Sequence, residues 1–409
     1  MATSSAPMNA LVEEAVASRP SVRSRLTRAI AALGTALVVV ASGSTFASAA
    51  WSTTTVDSFG NAHTPSTSLA ISPGGRTFVA FTRGGNDLFW SQKTSRGWDS
   101  REVVGDDSYV SCYEGDWQSA GPSAAFTADG SPHIASACAA FTGGSKVLYT
   151  TRGRQGWSTR KVGFGPSAQS YESSATSLAL AMSAGGRPHI VMTDAGTLDI
   201  VRFLRVDGRW QRQTLMDGAH ICCGGPQFEL LDAAFDPLSG RLAIATVHYA
   251  PFGTDLFFAE FNGLGEMSDF ASIPLQGQNA YGRPSLAFPP NGDPAIAFQM
   301  GTDASKSLAF AMRTAGEWSV VPVDDSVADI GAHPSLEIDD GTFHVAYPDE
   351  SNDDLKYASS TNGSAWAVQT VAVSGDLGEY PSIEIASSGQ VRISHYDRGG
   401  AGVKATFGS

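Results

Sequence analysis

Basic residues are scarce and scattered. The chain has 27 Lys and Arg against 40 Asp and Glu, a formal charge of −13, and no run of positive charge interrupts it. Nucleic acid and anionic lipid surfaces bind through clustered Lys and Arg, so this balance argues against both as partners. Cysteine is equally sparse, with Cys112, Cys138, Cys222 and Cys223 the four in 409 residues. His220-Ile221-Cys222-Cys223 has no matching second pair of ligands elsewhere, so no metal and no cofactor is expected. Long helical patterns are missing beyond the first 50 residues. The longest apolar run, Ala29 to Gly43, is about 15 residues, short of the roughly 20 that cross a bilayer.

That run is preceded by Arg19, Arg23, Arg25 and Arg28 and followed by Ala47-Ser48-Ala49, which together read as a signal peptide over residues 1–49. The expectation is a secreted protein, extracellular or periplasmic, free of the membrane after cleavage, with residues 50–409 as one domain. Without the first 50 residues, 23 basic and 38 acidic side chains remain. Export also permits disulfides. Cys112 and Cys138 are placed to pair, while Cys222 and Cys223 leave open a vicinal bridge or a pairing elsewhere.

What is present is a repeat. A phrase of the form P-S-L-A followed by turn chemistry and a second apolar run begins at Thr64, Gly121, Thr176, Phe228, Arg283, His333 and Tyr380, seven times in all. Asp129-Gly130, Asn291-Gly292 and Asp340-Gly341 in the turns mark hairpins. A third run follows each hairpin, as in LFWSQ from Leu88 and LKYAS from Leu355, and a fourth opens with Trp98, Trp157, Trp210, Trp318 or Trp366. Four strands at a spacing of about 50 residues predict an all-β, seven-bladed β-propeller. The last repeat lacks a fourth strand, and Trp51 to Asp57 resembles one while belonging to no repeat of its own. That segment is expected to pair with the C-terminal blade and close the ring. The repeated Trp should fill the space between blades. His133, His189 and His344, at one position of the second strand, are expected to be scaffold, hydrogen-bonded between blades.

Loops between blades, and those joining second to third strands, emerge on one face of a propeller, where ligand sites gather. His63, Arg283, His333 and Tyr380 stand just before the repeated phrase. Arg83, His248, Tyr249, Tyr347, Asp349, His395, Tyr396 and Asp397 stand just after the second strand. These positions vary between blades while scaffold positions repeat, which predicts one asymmetric site. Trp117, beside Asp116, has the chemistry to stack on a sugar while the carboxylate accepts its hydroxyls.

The recurring P-S-L-A, P-H-I-A, L-x-Y and W-x-x-x-x-V strands resemble the secreted bacterial propellers of the sialidase-like, BNR-type superfamily. The Asp box of that superfamily survives as Ser359-Ser360-Thr361-Asn362-Gly363-Ser364-Ala365-Trp366, with Thr361 in place of Asp. A sialidase would also need three arginines on the substrate carboxylate, and Arg83, Arg283 and Arg398 are the available set. The resemblance extends to secreted polysaccharide lyases, which implies His248-Tyr249 and His395-Tyr396-Asp397 as proton-transfer pairs, with Arg283 and His333 on the carboxylate. Propeller lectins offer a third comparison. The expected function is carbohydrate recognition at a single site by a monomer; the alternatives are a uronate-directed lyase or sialidase-like glycosidase, and a non-catalytic protein-interaction or envelope scaffold.

Overall fold

Alternating apolar runs of five to ten residues, broken by Gly, Asp and Asn, form strands wherever the repeat predicts them. A computed structural model describes residues 50–59, 66–83, 87–104, 118–139, 146–164, 177–194, 199–217, 227–250, 253–326, 329–373 and 375–408. Side chains of residues 104, 118–120, 138–139, 164, 227–229 and 249–250 lie outside that description. So do His63, Asp116, Trp117, Cys112, Cys222, Cys223 and the side chains of Cys138 and Tyr249, together with the disulfides expected of the four cysteines. There are twenty-eight strands in seven antiparallel four-stranded sheets, and no helices among the described residues. The innermost strands are Thr67–Ile71, Gln118–Phe126, Leu178–Met182, Gln227–Phe235, Asn279–Ala287, Ser335–Asp339 and Leu377–Ile385, blades 1 to 7 in that order. Each touches the next, and the seventh touches the first, which makes a ring.

The seventh blade is completed from the other end of the chain. Ser52–Ser58 pairs antiparallel with Gly402–Phe407, from Ser52 opposite Phe407 to Ser58 opposite Gly402, with a bulge between Thr55 and Asp57. Both edges are thereby removed.

Aromatic contacts hold the outer parts of the blades together. Trp157, Trp210, Trp318 and Trp366 each sit 4.9–5.5 Å, ring to ring, from a third-strand aromatic of the preceding blade: Trp90, Tyr149, Phe258 and Phe310. Trp51 does the same against Tyr357 at 5.2 Å, and Trp98 against Phe407 at 6.4 Å. Blade 4 has no such Trp; its joint to blade 3 keeps an apolar core that includes Ile200, Leu215, Leu242 and Phe261, and polar groups bridge the outer part. There Gln213 donates to the Leu264 carbonyl and Arg202 to that of Gly263. The repeated histidines differ from expectation in one respect. His133 and His344 bond to Tyr149 and Tyr357 of their own blades, because the partner hydroxyl comes from the adjacent third strand rather than from the next sheet.

The inner strands are joined by a different bond. The serine of the repeated phrase accepts the backbone N–H of the next inner strand: Ser382 from Leu69, Ser68 from Ala124, Ser123 from Leu180, Ser285 from Leu336 and Ser335 from Ile383, at 2.9–3.1 Å. Blade 3 carries Ala179 at that position, and Ser177 bonds to both N–H and C=O of Leu231. Blade 4 carries Asp232, whose Oδ2 accepts Leu286 N–H at 2.9 Å. All seven joints are thus latched by a side-chain oxygen. Replacing Ser335 with Ala strands the Ile383 N–H and should cost about 1–3 kcal/mol, read as a lower denaturation midpoint in urea. Deleting residues 50–58 should lower Tm further, since it exposes a full strand edge; a truncated protein that melts with the intact one would contradict the closure.

Candidate functional site

The latch brings equivalent positions of the seven inner strands together at the channel mouth. Two residues before the latching position stand Ser66, Gly121, Ser177, Leu230, Arg283, His333 and Tyr380. Four blades offer small or apolar groups there, while three consecutive blades offer a cation, an imidazole and a phenol. A cleft of about 160 Å³ opens among them, walled by residues that include Ser66, Pro122, Asp232, Arg283, His333 and Tyr380.

Arg283 is held by backbone. Its Nε donates to the Leu231 carbonyl and its Nη2 to that of Leu178, both at 3.1 Å, with Asp232 Oδ1 at 3.6 Å from Nη2. The guanidinium therefore reaches from blade 5 to blades 3 and 4 as part of the cleft wall, and Nη1 makes no hydrogen bond among the described residues. Its backbone N–H donates to His333 Nδ1 at 3.0 Å. This approach depends on Gly282, at φ 65°, where a Cβ would stand 3.2 Å from the backbone nitrogen of His333. Because Nδ1 accepts, the neutral imidazole carries its proton on Nε2. Burial, reinforced by the Arg283 charge, depresses the His333 pKa to about 4, so the ring is neutral across the physiological range. Tyr380 stacks on it with centroids 4.9 Å apart and remains 38 % exposed. Burial and the neighbouring Glu350 raise its pKa, which keeps the hydroxyl a donor.

His333 and Tyr380 both adopt left-handed backbone, at φ 49° and 47°. That costs an L-residue about 1–2 kcal/mol, and each precedes a proline, which restricts it further. Strain kept at two adjacent blades, where the side chains face one cleft, is the pattern found where placement matters to function.

Farther along the same strands the channel wall changes again. Two residues after the latching position, five blades carry Ala70, Ala125, Ala181, Ala234 and Ala287, and blades 6 and 7 carry Glu337 and Glu384. Burial raises both carboxyls, Glu337 to about 7 with Asp339 adding to it, and Glu384 well above its ordinary value with Glu337 adding to it.

The other expected residues are placed elsewhere. His395 is fully buried, with Nδ1 accepting Gly378 N–H at 3.3 Å and Nε2 bonded to Thr406 Oγ1 at 3.0 Å. Tyr396 and Asp397 are buried with it, Asp397 paired with Lys404 at 3.3 Å. His248 is buried beside Phe257. Tyr347 is covered and donates to Asp324, which pairs with Lys356 at 2.7 Å, while Asp349 accepts from Asn352. The second strands extend further than their sequence pattern suggests, to Ala250, Asp349 and Asp397, so these positions lie inside sheets rather than in loops. Arg83 is exposed over Phe59 and Phe89, and Arg398 bridges Asp376 and Glu379. The three arginines do not share one set of partners. The turn of the degenerate Asp box is held by Asn362, whose Oδ1 accepts the N–H groups of Ser364 and Ala365.

No family model matches the chain, and neither does any curated protein. Its fold is similar to solved structures. An ulvan lyase of polysaccharide lyase family PL25, bound to -[GlcA(1-4)Rha3S]-, matches with TM-score 0.57 and 12 % identity over 82 % of this chain and 90 % of that one. The polysaccharide lyase Uly1 gives 0.53 and 12 % over 82 % and 88 %. Hydrazine synthase of Kuenenia stuttgartiensis gives 0.54 and 12 % over 82 % and 94 %. At this identity the likeness is one of fold, shared by unrelated chemistries.

The paired glutamates set a pH dependence. Their folded pKa lies above the unfolded value, so the folded state loses stability as pH rises from about 4.5 towards and beyond 7. Glu337→Gln should therefore raise Tm at pH 8 and leave it unchanged at pH 4; an equal gain at both would rule out the linkage.

Proposed function

We propose that the channel mouth binds an acidic glycan, with Arg283 Nη1 on the carboxylate of a uronate residue and His333 Nε2–H and Tyr380 Oη–H donating to its oxygens. The supporting observation is the Arg-His-Tyr succession at one repeat position of three adjacent blades, opposite small residues that leave room for a ligand. One fixed cation with two neutral donors suits a carboxylate set among hydroxyls. The export signal read at residues 1–49 would bring this site to extracellular polysaccharide.

A second reading adds chemistry, and the two polysaccharide lyases of like fold favour it. In β-elimination, Arg283 neutralises the carboxylate and so acidifies the C5 proton. Glu350, exposed in the turn after Asp349 and outside the cleft wall, acts on Tyr380 through its charge and would take that proton as carboxylate by reaching in from the rim. The C4–O4 bond breaks, its electron pair goes to O4, and Tyr380 protonates it. The products are a C4=C5 unsaturated uronate and a free hydroxyl.

Incubation with uronate polysaccharides should release products with the ultraviolet absorbance of an unsaturated uronate. Arg283→Met should lower kcat/KM at least a hundredfold, and Glu350→Gln should abolish turnover while leaving binding. Because His333 ionises only near pH 4, it stays a neutral Nε2–H donor at higher pH, and binding should show no transition between about pH 5 and 8. Loss centred on the ordinary histidine range would contradict its role. Binding without turnover would leave the recognition reading alone.

A further inference from the structure

The latching position holds serine in five blades and alanine in one, and only in blade 4 does it hold a charge. Asp232 does what the serines do, since its Oδ2 accepts Leu286 N–H at 2.9 Å. Serine would have served that purpose. The carboxylate adds a second contact, Oδ1 at 3.6 Å from Arg283 Nη2, inside the cleft. Among the described residues walling the cleft, Arg283 and Asp232 are the charged ones, and their charges cancel.

We infer that Asp232 is a specificity-determining residue that restricts the cleft to a single carboxylate, selecting uronate chains without sulfate on or beside the bound sugar. This rests on the uronate reading above. Arg283 has already committed Nε and Nη2 to backbone carbonyls and to Asp232, so one face of the guanidinium is available to an anion. A uronate carboxylate occupies that face. A sulfate on the same or the adjoining sugar finds no second cation among the described residues of the wall and meets the field of Asp232 in a partly desolvated cleft, where like charges repel more than in water. Deeper in the channel Glu337 and Glu384 add acid groups rather than bases. The lyase structure solved with -[GlcA(1-4)Rha3S]- holds a sulfated chain; the described wall here carries no net positive charge for such a ligand.

Asp232→Ser separates the two jobs of the residue, because serine keeps the latch used by the other blades and removes the charge. The probes are matched pairs, chondroitin against chondroitin 4-sulfate and heparosan against heparan sulfate, with affinities measured by calorimetry on the full chain at fixed low salt. The wild type should bind the unsulfated member of a pair on the order of tenfold more tightly, and Asp232→Ser should bring the two members to near parity while its Tm stays close to wild type. Asp232→Ala, which also breaks the latch, should lose Tm. An unchanged preference in Asp232→Ser, or a wild type that binds sulfated chains as well as unsulfated ones, overturns the selectivity and leaves the site standing. If Arg283→Met binds every probe as the wild type does, or the wild type binds none, the site itself is wrong and the selectivity falls with it.

Discussion

An inner strand of a propeller has an edge with nothing to pair against, because the channel lies on that side. Here a side-chain oxygen from each blade takes one N–H of the next inner strand, and the seven oxygens tie the inner ring into a circle. Each bond is modest, about 1 kcal/mol net, but an amide left without it in the wall would cost more. The geometric result is the stronger one. Every latch fixes the height of one blade against its neighbour, so residues at the same repeat position arrive at the same level of the channel. A site can then be composed by changing one repeat position in successive blades, without any loop being rebuilt.

Much of this was legible in the sequence because a repeat is visible by eye. Seven phrases, four runs each and a displaced fourth strand were enough for the blade count and the closure. Arg283, His333 and Tyr380 were recognisable as candidates because they precede the phrase. What misled was the far end of the second strand. His248, His395 and Asp397 are polar and follow an apolar run, which resembles the start of a loop, yet the strand continues through them and the neighbouring sheets cover both faces. Asp232, Glu337 and Glu384 were overlooked for the opposite reason. They lie within the phrase that defined the repeat, where a pattern of apolar positions hides a single departure. Aligning the seven copies column by column exposes them at once: one Asp among serines, two Glu among alanines. The His333 tautomer and the two left-handed residues depend on backbone geometry, which no column records.

Below and around the site the frame is stiffened by charge. In blade 6, Lys356 is held between Asp324 and Asp349, and in blade 7, Lys404 joins Asp397 to Thr55 of the closing strand. These buried pairs are specific rather than strongly stabilising. They brace the two blades that carry His333 and Tyr380, as Arg313 with Glu260 and Asp269 braces blade 5 against blade 4. The joint between blades 3 and 4, with neither a Trp nor the ordinary serine, is the most divergent of the seven.

The closing strand gives the molecule an order in time. Ser52–Ser58 precedes every blade in the chain, yet its partner, Gly402–Phe407, is the third strand of the seventh. Until that partner is made the first strand has no sheet of its own, and the ring is an open arc with a bare edge at each end. Arg283 reaches to Leu178 and Leu231 within blades 3 to 5, whereas the Tyr380 carbonyl accepts from Thr67 of blade 1 across the joint that the closing strand secures. Closing the ring and completing the Tyr380 side of the binding surface are therefore one event.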